Sequence, residues 1–128
     1  AILFDALYAY AIPALLAFYT FFLLSNKAFD SNIFILLFVW QLFVGMHNTL
    51  IHHIEDFEND TKAGIKTFAI NIGKLKTRKF ILNIIFPLHL LSFGILVFYI
   101  SEAYWFYYFL FPVLYIALKL FYVLLLMI

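Results

Sequence analysis

Two carboxylates four residues apart, Asp56 and Asp60, dominate the chemistry open to this 128-residue chain. On a helix such an i, i+4 pair lies on one face, one turn apart. Carboxylates that close repel each other and favour a hard cation. Oxygen donors with no thiolate nearby suit Mg²⁺, which takes one or two protein carboxylates and fills its shell with water and phosphate oxygens. Lys66, shortly downstream after Gly64, would reach the same phosphate. The spacing alone equally fits a solvated loop whose acids and bases neutralise each other, because acid pairs of this kind are common on exposed helices.

If the helix upstream continues past Ile51, a polar stripe of Gln41, Gly45, Asn48 and His52 leads to the two aspartates. Polar groups at membrane depth are costly and usually face a bundle interior or a water-filled cavity. The expected direction of the stripe is therefore a shared cavity beside the carboxylates. His52 is a candidate substrate contact on it, and Asn48 is either a cavity residue or a packing residue. His52 and His53 with Glu55 and Asp56 make a poor transition-metal site, since HExxH is absent and adjacent histidines point to different helix faces. His47 and His89 read as hydrogen-bonding partners in helix packing. Gly64 to Thr67 lacks the upstream frame of a Walker phosphate loop. The chain has no cysteine, which excludes disulfides, thiolate metal sites and cysteine nucleophiles.

The elements that must position these groups are hydrophobic helices. The chain is 67% hydrophobic and only 12% charged, about half the charge of an average soluble domain at roughly 25%. Its solvent must be lipid or other apolar helices. Four runs approach the roughly 20 apolar residues that cross a bilayer: residues 6–24, 33–51, 80–100 and 103–128. The expected fold is all-α, a polytopic transmembrane bundle forming one domain, with a charged loop at 52–79. That loop holds four of the seven acidic residues and six of the eight basic ones. By the positive-inside rule it faces the cytoplasm, and the short connections at Ser25–Asn32 and Ser101–Glu102 face the opposite side. The aromatic cluster Tyr104–Tyr108 suits an interfacial belt. Lys74, Lys76, Arg78 and Lys79 read as topogenic charges and contacts to anionic membrane lipids. Sharing their loop with acids beside a bilayer, the basic residues make a poor nucleic-acid patch. Asp5 is either an intramembrane site or a helix end, and Lys119 either snorkels or faces the bundle interior. The chain opens and closes inside hydrophobic runs, which reads as part of a longer protein.

The stretch Asp56-Phe-Glu-Asn-Asp60-Thr-Lys-Ala-Gly64-Ile-Lys66-Thr67, continuing to Gly73, resembles the second aspartate-rich motif of the UbiA superfamily of intramembrane prenyltransferases. That motif is DxxxD, a Gly, a Lys or Arg with Ser/Thr, and a further Gly where the next helix starts. The resemblance implies nine membrane helices in two halves around a central cavity. It also implies Mg²⁺-dependent transfer of a prenyl group from a prenyl diphosphate to an aromatic or other lipid-soluble acceptor. Carried over by position, Asp56 and Asp60 would bind the diphosphate through Mg²⁺, and Lys66 would contact phosphate. The family's first motif, NDxxDxxxD, does not occur in these 128 residues. The expectation is half an active site, inactive alone and completed by an N-terminal half of the same protein. A transporter or channel segment with an acidic ion-binding mouth is the alternative; it explains the polar stripe but not Gly64, Lys66 and Thr67.

Overall fold

The computed structural model describes residues 2–26, 28–100 and 105–127, with side chains of the last helix described over 112–125. Every regular element described is helical. Helix α1 spans Ile2–Ser25, α2 spans Ser31–Glu55 and α5 spans Lys74–Ile100, and all three are long and apolar enough to cross a membrane. Between α2 and α5 lie two short helices, α3 (Phe57–Ala63) and α4 (Phe68–Ile72). Helix α6 (Trp105–Met127) closes the chain. Ser101, Glu102, Tyr104 and the side chains of Trp105–Tyr108 lie outside the described residues.

The charged segment at 52–79, expected as a loop, is thus largely helical. It comprises the end of α2, then α3 and α4, then the start of α5. Hydropathy reports the medium around a segment rather than its conformation, and a polar helix at a membrane surface leaves no apolar run to count.

Apolar side chains dominate both surface and interior. Leu24 and Phe98 are each 81% exposed, which is tolerable only where the outer medium is hydrocarbon. The buried cluster is Leu50 and Ile51 of α2 with Ile81 and Ile85 of α5. It lies at the end of the bundle that carries the charged segment, flanked by Ile2, Ile54, Phe68 and Phe80.

Two helices widen where proline demands it. Leu7–Ala11 in α1 and Ile81–Ile85 in α5 are single π-type turns, and Pro13 and Pro87 follow them closely. Proline lacks an N–H, and its ring crowds the carbonyl four residues back. A widened turn takes up both problems without ending the helix.

Helices α1 and α2 meet at a small-residue contact. A Cβ on Gly45 would lie 2.7 Å from Ala6 Cα and 2.9 Å from Tyr10 Cδ2. Such close backbone approach is how membrane helices gain van der Waals packing where lipid removes any hydrophobic drive. At the opposite end of the bundle from α3, Asp30 caps α2. Its carboxylate accepts from the backbone N–H of Asn32 at 2.9 Å and of Ile33 at 3.2 Å. Tyr99 of α5 donates to the same carboxylate at 3.4 Å and accepts from the Asn32 amide at 3.0 Å.

Candidate functional site

Asp56 sits at a bend. With φ −85° and ψ 2° it is both the C-cap of α2 and the N-cap of α3. Backbone hydrogen bonds nevertheless run through it. Its N–H donates to the His52 carbonyl at 2.8 Å, and the Asp60 N–H donates to the Asp56 carbonyl at 2.9 Å. Asp56 and Asp60 are therefore separated by one hydrogen-bonded helical turn. Asp56 is exposed and Asp60 half-buried.

Helix α3 ends in a Schellman motif. The Ile65 N–H donates to the Asp60 carbonyl at 2.9 Å, and the Gly64 N–H to the Thr61 carbonyl at 3.3 Å. This closure needs a left-handed residue, and Gly64 supplies it at φ 71°. The turn reverses the chain and delivers Lys66, fully in the connector 65–67 and exposed. Thr67 then caps α4: its hydroxyl accepts from the Ile70 N–H at 3.4 Å. Gly73, at φ 91° and ψ 151°, breaks α4 from α5 in a region that essentially only glycine enters. Its carbonyl accepts from both the backbone N–H and the hydroxyl of Thr77. The two glycines, the cap and the lysine of the motif thus form one folded unit, each with a separate backbone task.

Lys66 and Thr67 also line an open cleft of about 410 Å³, otherwise walled by Ile2, Leu3, Met46, Phe68, Asn71 and Phe80. A cation at the edge of an apolar cleft can hold a phosphate in water while a hydrocarbon chain leaves in the other direction. Lys74, read from sequence as topogenic, has a further contact. Its ammonium lies 3.7 Å from Glu58 and 5.1 Å from the centre of the Phe57 ring, tying α5 to α3. Because Glu58 is well exposed, the pair contributes little on its own.

The other sequence-derived residues scatter. His52 is exposed, and its Nδ1 lies 3.2 Å from Glu55. Gly45 packs on Ala6, and Asn48 lines a separate pocket with Tyr115, Leu118, Lys119 and Tyr122 of α6. The expected polar stripe therefore does not feed one cavity. Asp5 is exposed in the first turns of α1. Among the described residues no three His, Asp or Glu side chains gather into a metal-binding group. The available set is a pair of carboxylates, one exposed and one half-buried, which suits a hard divalent cation that keeps waters and accepts phosphate oxygens.

Sequence reasoning missed Tyr115. His47 Nδ1 and His89 Nδ1 lie 3.2 Å apart, and His89 Nε2 lies 2.7 Å from the Tyr115 hydroxyl. Both histidines are fully buried. Their pairing agrees with the expected packing role. Tyr115 carries no local signal, because its partner is 26 residues away on another helix.

Neither the curated proteins nor the solved structures compared with the chain include a match to it. The model of the UbiA prenyltransferase family matches residues 6–128. With nearly its whole length matched and three helices fit to cross a membrane, the chain belongs to the UbiA family of integral-membrane prenyltransferases.

Proposed function

We propose that this chain contributes one acidic half of a Mg²⁺-dependent site that moves a prenyl group from a prenyl diphosphate to an aromatic or other lipid-soluble acceptor. The observation that carries the reading is the folded unit from Asp56 to Gly73. It holds two carboxylates one turn apart and, through the turn at Gly64, sets Lys66 at the edge of an apolar cleft. Asp56 and Asp60 hold the metal, and Lys66 contacts phosphate. His52, one turn before Asp56, is assigned as a substrate contact beside the motif, and Asn48 as one in the separate pocket it lines with α6.

Bound Mg²⁺ would supply Lewis-acid stabilisation of the leaving diphosphate. The chain's own residues account for the rest. Heterolysis of the C–O bond sends its electron pair to the diphosphate and leaves an allylic cation. The Lys66 ammonium stabilises the growing charge on the phosphate side, and its exposure lets it follow the diphosphate as it departs. The apolar cleft walls exclude water from the prenyl chain. A second acidic motif, from an N-terminal half of the same protein, completes the site, so that this chain by itself is inactive. The motif faces the cytoplasm.

The test is turnover of a radiolabelled prenyl diphosphate by the full-length protein with Mg²⁺. Asp56→Asn and Asp60→Asn are each expected to lower kcat/KM by about a hundredfold or more, in the range of losing a key electrostatic group. Lys66→Ala is expected to raise the diphosphate KM about tenfold, the scale of one charge-assisted hydrogen bond. Near-normal turnover in both aspartate variants would sink the metal assignment.

A further inference from the structure

Lys119 poses a problem that the diphosphate site does not solve. It lies in the apolar stretch Pro112–Leu125 of α6. Its side chain is half-buried, and among the described residues no carboxylate pairs with it. A lone cation at such depth is costly and, in membrane proteins, marks a ligand, an ion path or a partner charge. The space in front of it is a pocket of about 420 Å³, walled by Asn48 of α2 and by Tyr115, Leu118 and Tyr122 of α6. Asn48 precedes Asp56 by eight residues, which on a helix is about 12 Å along the axis. The pocket is therefore displaced from the aspartates toward the bilayer interior.

The buried histidines give this pocket a directed donor. Each neutral imidazole has one N–H and one bare nitrogen. In one arrangement His47 Nδ1–H donates to His89, and His89 Nε2–H donates to the Tyr115 oxygen. The Tyr115 O–H is then free to point into the pocket. In the reverse arrangement Tyr115 donates to His89, and that hydrogen is spent. Among the described residues His47 Nε2 has no hydrogen-bond partner, so neither arrangement is fixed from the far end of the chain. An anion in the pocket would select the first arrangement. It would receive Tyr115 O–H, the Asn48 amide and the Lys119 ammonium together.

We propose that this pocket is a second ligand subsite, distinct from the aspartate motif, that takes the anionic head group of an amphiphile: a carboxylate or phosphate held by Lys119, Asn48 and Tyr115. The inference does not depend on prenyl transfer, and its test needs no turnover.

Trp40 reports on the site, since its ring centre is 6.2 Å from that of Tyr115. In the full-length protein with Trp40 as the one tryptophan retained, dibromostearate is expected to quench its fluorescence saturably. The matching bromo-alcohol is expected to quench it weakly. Lys119→Met should weaken the acid's apparent Kd about tenfold or more, as expected for losing a charged hydrogen-bond partner, whereas Lys119→Arg should largely preserve it. Asp56→Asn should leave the quenching unchanged, which separates this subsite from the diphosphate site. Competition by phosphatidate, and not by phosphatidylcholine, would assign the occupant to a membrane lipid. Competition by benzoate instead would assign it to a free acid, and either result supports the subsite. Equal quenching by acid and alcohol, or by Lys119→Met and the unsubstituted protein, overturns it. Should Lys119→Met fail to fold, the acid-against-alcohol comparison on the unsubstituted protein decides.

Discussion

Within the aspartate motif, backbone conformation and side-chain chemistry are divided among different residues. Asp56, Asp60 and Lys66 carry charge; Gly64 and Gly73 carry conformation. Among the described residues a Cβ at either glycine would meet nothing within 4 Å, so the penalty argued there is a backbone one. The two are not equivalent. Gly64 at φ 71°, ψ 19° is in the left-handed helical region, which asparagine also visits. Gly73 at φ 91°, ψ 151° is in a region nearly closed to every other residue. Gly64→Asn is therefore expected to cost at most about 1 kcal/mol, and Gly73→Asn about 1–3 kcal/mol. Thermal unfolding of the purified protein in detergent checks this, and equal losses at the two positions would contradict the backbone argument. The sequence made these glycines visible as motif positions. It did not reveal that one closes a Schellman turn and the other separates two helices, because that distinction lies in φ and ψ.

At the level of elements, two polar and small-residue contacts fix how the helices sit, and each can be tested. The contact between α1 and α2 at Gly45 leaves no room for a methyl group: a Cβ would be 2.7 Å from Ala6 Cα, which is backbone and cannot rotate away. Gly45→Ala is expected to destabilise by about 1–3 kcal/mol, the usual scale of overpacking. Gly94→Ala, where a Cβ meets nothing within 4 Å among the described residues, serves as the control and should be neutral or mildly stabilising. The His47–His89 pair joins α2 to α5. Replacing His89 by Leu strands the His47 imidazole in an apolar interior, and replacing His47 by Leu unpairs Nδ1 of His89 while its Nε2 keeps Tyr115; replacing both removes the shared contact at once. A double-mutant cycle should therefore show the double variant less destabilised than the two single losses added together, by about 0.6–2 kcal/mol for a hydrogen bond between membrane helices. Strict additivity would mean that the pair contributes no coupling. Hydropathy made α1, α2 and α5 legible because each needs a long apolar run. The bend at Asp56 and the helices α3 and α4 were hidden, since helices of five to seven residues depend on caps such as Thr67 and Gly64 rather than on periodicity. The expected stripe from Gln41 to Asp60 failed for a related reason. Helical spacing puts its residues on one side of α2, but α1 claims Gly45 and α6 claims Asn48.

At the scale of the whole molecule, the charge distribution is asymmetric end to end. The α2–α5 connection holds Lys62, Lys66, Lys74, Lys76, Arg78 and Lys79, whereas the α1–α2 connection holds only Lys27. Positively charged loops stay on the side where the ribosome is, because moving them across a bilayer is opposed by the membrane potential and the lipid surface charge. The proposed orientation therefore puts Asp56 and Asp60 in the cytoplasm, where a water-soluble diphosphate head group would be met, and puts Asp30 and Ser31 outside. The chain contains no cysteine, so single cysteines introduced here give a clean readout. Ser31, at the start of α2, and Thr61, in α3 beyond its other end, are both exposed positions for such cysteines. In intact cells a membrane-impermeant maleimide should label Ser31→Cys, and Thr61→Cys only after the membrane is permeabilised. The reverse pattern would place the aspartates on the outer face, and the diphosphate would then have to be supplied from outside the cell. Labelling at both positions before permeabilisation would mean that α2 does not cross the membrane at all, and the length and hydropathy of Ser31–Glu55 would need another explanation.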